Sequence, residues 1–346
     1  MGSYSRFGAV NTKIKVLQRN FLKDQDYIRL LEAPSLSDAV SYLRQSTPYG
    51  EAIAADEVLS IRELEGRFRV KLLQKYEKLV HYLMDPYREL FRIIFMRYEV
   101  ENLKLIFRAI LRQEATEALA EGFYRSELFP QIDYQRVLTA KTLEAAVQML
   151  QGTVYHRVLV PYVSERPEKV LFYLEMNLDR VYFNKLAQAV ERLPGEERAL
   201  VAELLGKNTD MLNLQWIYRG LKYYQISPEE LFNYSLTSGY GLRLEELRQL
   251  CYAADVQDLT ARLRKTGYAF LFEEGVDIDR FMELGMERYL FAMLREMGRR
   301  GAMTILPAIL YIHRLEYEMR DLFSLLEAKK FGMSAEDTRK FLVRMV

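Results

Sequence analysis

Cysteine is almost absent from this 346-residue chain, where Cys251 stands alone. A single thiol can form neither an internal disulfide nor a cysteine metal cluster, and it suits a reducing cytoplasm. Histidine is nearly as scarce. His81, His156 and His313 are dispersed, with no second His or Cys at metal-ligand spacing. Charge of one sign is also missing, since 49 basic residues against 48 acidic ones leave a net +1. Such a chain projects no strong field towards a polyanion, which argues against a nucleic-acid partner. Long apolar runs are lacking. Phe91–Met96 is interrupted by Arg92 and Leu306–Ile312 by Pro307, and neither approaches the roughly 20 residues that span a bilayer. The stretch from Met1 to Gly8 has no apolar core of a signal peptide. Any link to a membrane is therefore expected to run through a partner or a surface.

The motifs of common catalytic sites are missing as well. There is no nucleophile elbow, no phosphate loop ending in Gly-Lys-Ser/Thr and no zinc-protease helix. Gly239 and Gly241 lack a third glycine and read as a turn, and Gly298–Gly301 with its two arginines reads as a polar loop between helices. Acids are plentiful, at Glu99 and Glu101, Glu229 and Glu230, Glu273 and Glu274, and Glu316 and Glu318. No spacing among them demands a catalytic pair. We expect no active site, no cofactor and no small-molecule substrate.

What is present is helical. No stretch alternates apolar and polar residues as a half-buried strand would. Half of the residues are apolar and 28% charged, enough to bury a sizeable core. The predicted class is all-α. Residues 4–24 open with a mixed helix. The segment 61–112 reads as one long helix, or as two joined near Asp85-Pro86-Tyr87, because the residue before proline disfavours helix. The loop Leu193–Glu197 leads into a helix over Ala199–Leu205, and Phe129-Pro130 marks a break.

One phrase occurs three times. Leu36, Ala39 and Leu43 are followed by Thr47 and Tyr49; Leu143, Ala146 and Leu150 by Thr153 and Tyr155; Val256, Leu259 and Leu263 by Thr266 and Tyr268. Apolar residues at i, i+3 and i+7 line one helix face, and Thr-x-Tyr closes it each time. A second phrase places an acid three residues before Asn or Asp: Glu99 and Asn102, Asp210 and Asn213, Glu318 and Asp321. Arginine follows six residues after the Asn in the first two copies, at Arg108 and Arg219, whereas Glu327 stands there in the third. Ser227 and Ser334 each precede an acid by three, a capping-box-like helix start. A period of roughly 110 residues divides the chain into helical modules at 1–115, 116–235 and 236–346. With no Gly/Ser-rich linker or charge block, the modules are expected to pack against one another.

At these phrases, above all Arg97–Arg108, Asn213–Glu230 and Leu325–Leu342, the chain resembles the C subunit of bacterial and archaeal V-type (A-type) rotary ATPases. That protein is the equivalent of the d subunit of the eukaryotic vacuolar enzyme. The resemblance runs the whole length and lies in the joint pattern. It implies a funnel of three similar modules about a pseudo-threefold axis, peripheral on the cytoplasmic face of the cell membrane. It also implies a non-catalytic rotor part between the proteolipid ring and the central shaft, which the D and F subunits form. On this reading the partner-facing helices start near Glu99, Asp210 and Glu318. Candidate contacts are Glu99, Asn102, Arg108, Asp210, Asn213, Trp216, Arg219, Glu318 and Asp321. The same polar residues could instead hold the inner wall of each module together. The rivals are a helical-repeat scaffold unrelated to ATPases and an enzyme with an unrecognised carboxylate site.

Overall fold

The computed structural model describes residues 3–53, 60–124, 126, 132–272 and 277–345. The Phe129-Pro130 break and the Glu273, Glu274 pair lie outside them. All regular structure among the described residues is helical, in agreement with the predicted class. Helix α1 (Ser3–Leu17) is followed by the short α2 (Asp24–Glu32) and α3 (Leu36–Ser46), then by the long α4 (Ile61–Val80) and α5 (Tyr87–Leu111). The order returns with α6 (Tyr134–Val137), α7 (Leu143–Met149) and α8 (Val154–Leu159), then the long α9 (Pro167–Glu191) and α10 (Gly195–Arg219). After α11 (Pro228–Tyr234) come α12 (Leu244–Cys251), α13 (Val256–Leu263), the long α14 (Ile278–Arg300) and α15 (Leu306–Lys330), and last α16 (Ala335–Arg339). The first repeated phrase forms α3, α7 and α13. The second lies in the middle of α5, α10 and α15.

Local chemistry explains most boundaries. Ser35, Thr142 and Asp255 each accept a backbone N–H three residues on, at 3.2, 3.2 and 2.8 Å, and so start the repeated short helix. Ser60 and Glu63 form a reciprocal capping box on α4. Pro86 separates α4 from α5, so 61–112 is two helices. Gln113 and Gly332, just beyond α5 and α15, and Gln225, after the π-helical turn Gly220–Tyr224 that extends α10, have φ of 56°, 66° and 48°. This left-handed turn lets the last carbonyls find donors. Ser227 and Ser334 cap α11 and α16 as their spacing predicts. Two expectations are corrected. The helix read as Ala199–Leu205 runs from Gly195 to Arg219, because Leu200, Leu204, Met211 and Leu214 continue its buried stripe. Residues Gly298–Arg300 belong to α14 rather than to a loop. A Cβ on Gly298 would lie 3.1 Å from Leu310 Cδ1, so the bare Cα lets α15 approach.

The chain forms two compact units, 1–84 with 287–346 and 85–286. In the first, α15 packs on α1, α3 and α4. Its core includes Phe7, Ile14, Leu43, Tyr76 and Leu322, with the Phe68 ring 5.1 Å from Tyr49 and 6.5 Å from Phe323. In the second, α9 packs on α5, α8 and α10, and Leu103, Phe107, Val147, Leu174 and Ile217 are buried.

Candidate interaction site

The two repeated phrases meet in space. The hydroxyls of Thr47, Thr153 and Thr266 donate to the carbonyls of Leu43, Leu150 and Leu263 at 2.6, 2.7 and 2.9 Å. The same hydroxyls accept the backbone N–H of Tyr49, Tyr155 and Tyr268, each at 3.2 Å. Each threonine thus turns the chain and orients the tyrosine two residues on. The tyrosine hydroxyl then donates to a buried carboxylate. Tyr155 reaches Glu99 at 2.8 Å, Tyr268 reaches Asp210 at 2.7 Å and Tyr49 reaches Glu318 at 2.6 Å. The acid of one copy therefore takes its tyrosine from the next copy, and the third copy takes it from the first.

These carboxylates also collect backbone donors. Glu318 accepts the N–H of Leu22 at 2.8 Å. Asp210 accepts those of Tyr240, Gly241 and Leu242 at 3.0, 2.6 and 3.3 Å. Gly239 is required here, since a Cβ on it would stand 1.9 Å from Asp210 Oδ1. Three residues further along each helix, a second polar side chain pins the chain some two dozen residues ahead. Asn102 donates to the Tyr124 carbonyl at 2.9 Å and accepts its N–H at 3.3 Å. Asn213 does the same with Leu236 at 2.8 and 2.9 Å. Asp321 instead accepts two N–H groups, from Val343 at 2.6 Å and Arg344 at 3.0 Å. A carboxylate only accepts, whereas an amide does both, which explains why the third copy departs from Asn.

Burial opposes ionisation of these acids. It pushes Glu318 up to about 7 and Asp321 to about 6, in each case against the hydrogen bonds they accept. Asp210 is raised by the same cause. Burial also lifts the Tyr49 and Tyr155 hydroxyls above their ordinary range, and the neighbouring Glu318 and Glu99 add to it. The expected helix starts at Glu99, Asp210 and Glu318 are corrected, because α5, α10 and α15 begin at Tyr87, Gly195 and Leu306. The acids sit mid-helix, where the end charge of the helix dipole does not reach.

Of the nine candidate contact residues, Glu99, Asn102, Asp210, Asn213, Trp216, Glu318 and Asp321 are buried. The six polar ones bond inside the fold. Arg108 and Arg219, one or two turns further along α5 and α10, retain 37% and 41% side-chain exposure. Arg108 Nε donates to Glu175 at 2.6 Å. Arg219 Nη2 donates to Glu283 at 2.9 Å, and Gln215 joins the same carboxylate at 2.6 Å. Both arginines and Glu175 act electrostatically on the half-buried Tyr224, and Glu283 acts on Arg108. The cluster continues outward. Tyr218 donates to Asp279 at 2.6 Å, Lys222 pairs with Asp279, and Tyr223 is 54% exposed with the Lys222 ammonium 5.3 Å from its ring. The bonds to Lys222 and Tyr218 hold Asp279 down at about 2.

Beneath this surface Lys104 is buried and paired with Asp179 at 2.6 Å, and it also donates to Glu101 at 3.2 Å. Sequence reasoning missed this pair and the partners Glu175 and Glu283. The signal was faint: acids four apart on α9 (Glu175, Asp179) match charges on one face of α5 (Glu101, Lys104, Arg108). The cluster offers arginine, tyrosine and acid groups at an accessible face, the composition favoured at reversible protein interfaces. Among the described residues, no helix is long and apolar enough to cross a membrane.

The family described as ATP synthase (C/AC39) subunit matches residues 10–341 of this chain. The A-type ATP synthase C subunit of Thermococcus kodakarensis is 24% identical over 344 residues, spanning 98% of this chain and 91% of the relative. That of Methanocaldococcus jannaschii is 24% identical over 352 residues, spanning 98% and 86%. That of Methanothermobacter thermautotrophicus is 25% identical over 341 residues, spanning 94% and 84%.

Proposed function

The chain belongs to the ATP synthase (C/AC39) subunit family, and from that membership we propose that it is the socket of a rotary ATPase rotor. It joins the central shaft, made of the D and F subunits, to the proteolipid ring of the membrane sector. It carries torque between ATP hydrolysis or synthesis and ion translocation, and performs no catalysis itself. It is peripheral, at the cytoplasmic face of the cell membrane. Its modules, repeating as 1–115, 116–235 and 236–346, form a funnel of pseudo-threefold symmetry.

The observation that carries this reading is the buried acid–tyrosine bond made three times, each joining one copy to the next. A torque-bearing part has to resist relative motion of its modules. Hydrogen bonds to buried carboxyl groups inside a close-packed core are short and directional, and supply that stiffness. The seven buried candidates then belong to the wall. Arg108 and Arg219, with Tyr223 and Lys222 beside them, supply the shaft contact. A contact of this polarity suits a joint that assembles and comes apart, since obligate interfaces are more apolar.

Calorimetric titration of the full chain with a D–F pair at two salt concentrations tests the reading. The expected result is saturable one-to-one binding that weakens with salt, and that weakens further in Arg219→Glu with little loss of stability, because the Arg219–Glu283 pair is exposed. Unchanged affinity of the folded variant refutes the contact, and absence of binding with folded partners refutes the socket.

A further inference from the structure

Helix α1 and the end of α4 leave a shallow pocket of about 260 Å³, lined by Lys13, Lys78, His81 and Tyr82. Lys78 lies in the last turn of α4, His81 and Tyr82 follow it closely, and Lys13 reaches in from α1. Among the described residues, none of the four side chains has a hydrogen-bond or ion-pair partner. Lys78 acts at a distance on the exposed Glu51, but that carboxylate is bonded to Lys71. Elsewhere Lys104, Arg108, Arg219 and Lys222 each hold a carboxylate.

Cations near a helix C-terminus offset the negative end of its dipole. That accounts for Lys78 and His81 but not for Lys13, which another helix supplies. Exposed apolar side chains stand close along the chain: Tyr82 is 48% exposed, Met84, two residues on, 77% and Val16, one turn beyond Lys13, 51%. Unpaired lysines beside an exposed tyrosine and methionine suit a bilayer surface. There ammonium groups meet lipid phosphates while ring and thioether sink to the headgroup level.

We propose that this tip, Lys13, Lys78, His81, Tyr82 and Met84, is a peripheral contact for anionic phospholipid headgroups. The lysines recognise the phosphate, and Tyr82 and Met84 enter the headgroup layer without spanning it. The contact is independent of the shaft joint, so the two readings fail separately.

Flotation of the full-length protein with vesicles tests it. One set is phosphatidylcholine alone, the other an equal mixture of phosphatidylcholine and phosphatidylglycerol, with no other subunit present. The protein is expected to float with the anionic vesicles and not with the neutral ones. The double variant Lys13→Gln, Lys78→Gln is expected to bind about thirty-fold more weakly, at about 1 kcal/mol for each lysine near an anionic surface. Since neither lysine side chain has a partner among the described residues, circular dichroism should be unchanged. Tyr82→Ser with Met84→Ser should weaken binding to the same vesicles without altering its dependence on charge. Three results would overturn the proposal: no flotation with anionic vesicles, equal flotation of the lysine variant, or displacement by inorganic phosphate at constant ionic strength. The last would assign the pocket to free phosphate.

Discussion

Replacing Glu318 by glutamine isolates the energetics of one buried anchor. Glu318 is 4% exposed and its carboxyl holds Tyr49 and the Leu22 N–H, yet burial raises its pKa from 4.5 to about 7. Below pH 4.5 it is protonated in both the folded and unfolded chain, and no pH dependence arises from it. Between 4.5 and about 7 the unfolded chain releases the proton while the folded chain retains it, so stability falls as pH rises. Above about 7 both states are ionised and the slope vanishes. The difference amounts to about 3 kcal/mol, at 1.36 kcal/mol for each pH unit. A glutamine side chain mimics the protonated acid in shape and cannot ionise. Urea unfolding of wild type and Glu318→Gln at about pH 4.5, 6 and 8 should therefore give stabilities that diverge with pH. The variant should gain about 3 kcal/mol relative to wild type from the lowest pH to the highest. Asp321, raised by burial to about 6, titrates in both proteins and cancels in the difference. Parallel pH profiles would refute the reasoning, because the carboxylate would then ionise in the fold at no greater cost than in water.

Asp321→Asn should destabilise the chain by about 1–3 kcal/mol, because its amide must turn an N–H towards Val343 or Arg344, which both donate; denaturant midpoints check this. Asn102→Asp and Asn213→Asp should cost a similar amount for the opposite reason, since each sets a carboxylate against the carbonyl of Tyr124 or Leu236. Lys104→Met should cost about 3–5 kcal/mol by stranding Asp179 in the core, and a second change, Asp179→Leu, should recover most of it in thermal unfolding. Failure of the double variant to recover would mean that the site cannot repack around apolar groups.

The helical class, the capped starts at Ser227 and Ser334, and the recurrence of two phrases were legible in the sequence because each depends on residues a few positions apart. Periodicity names the face of a helix that turns inward. It does not name what that face meets. Glu99, Asp210 and Glu318 thus stood out as repeated acids, and whether they served a partner or the wall stayed open between two readings. Tertiary structure brings each acid to the tyrosine of the next copy and leaves Arg108 and Arg219 at the accessible surface. The same step turned the third-copy Asp321 from an irregularity into a necessity, since its two partners are both donors. Short-range propensity and capping are written along the chain. A buried carboxylate is tolerated only if distant segments deliver its hydrogen bonds, and that condition is met by the packing of the whole fold.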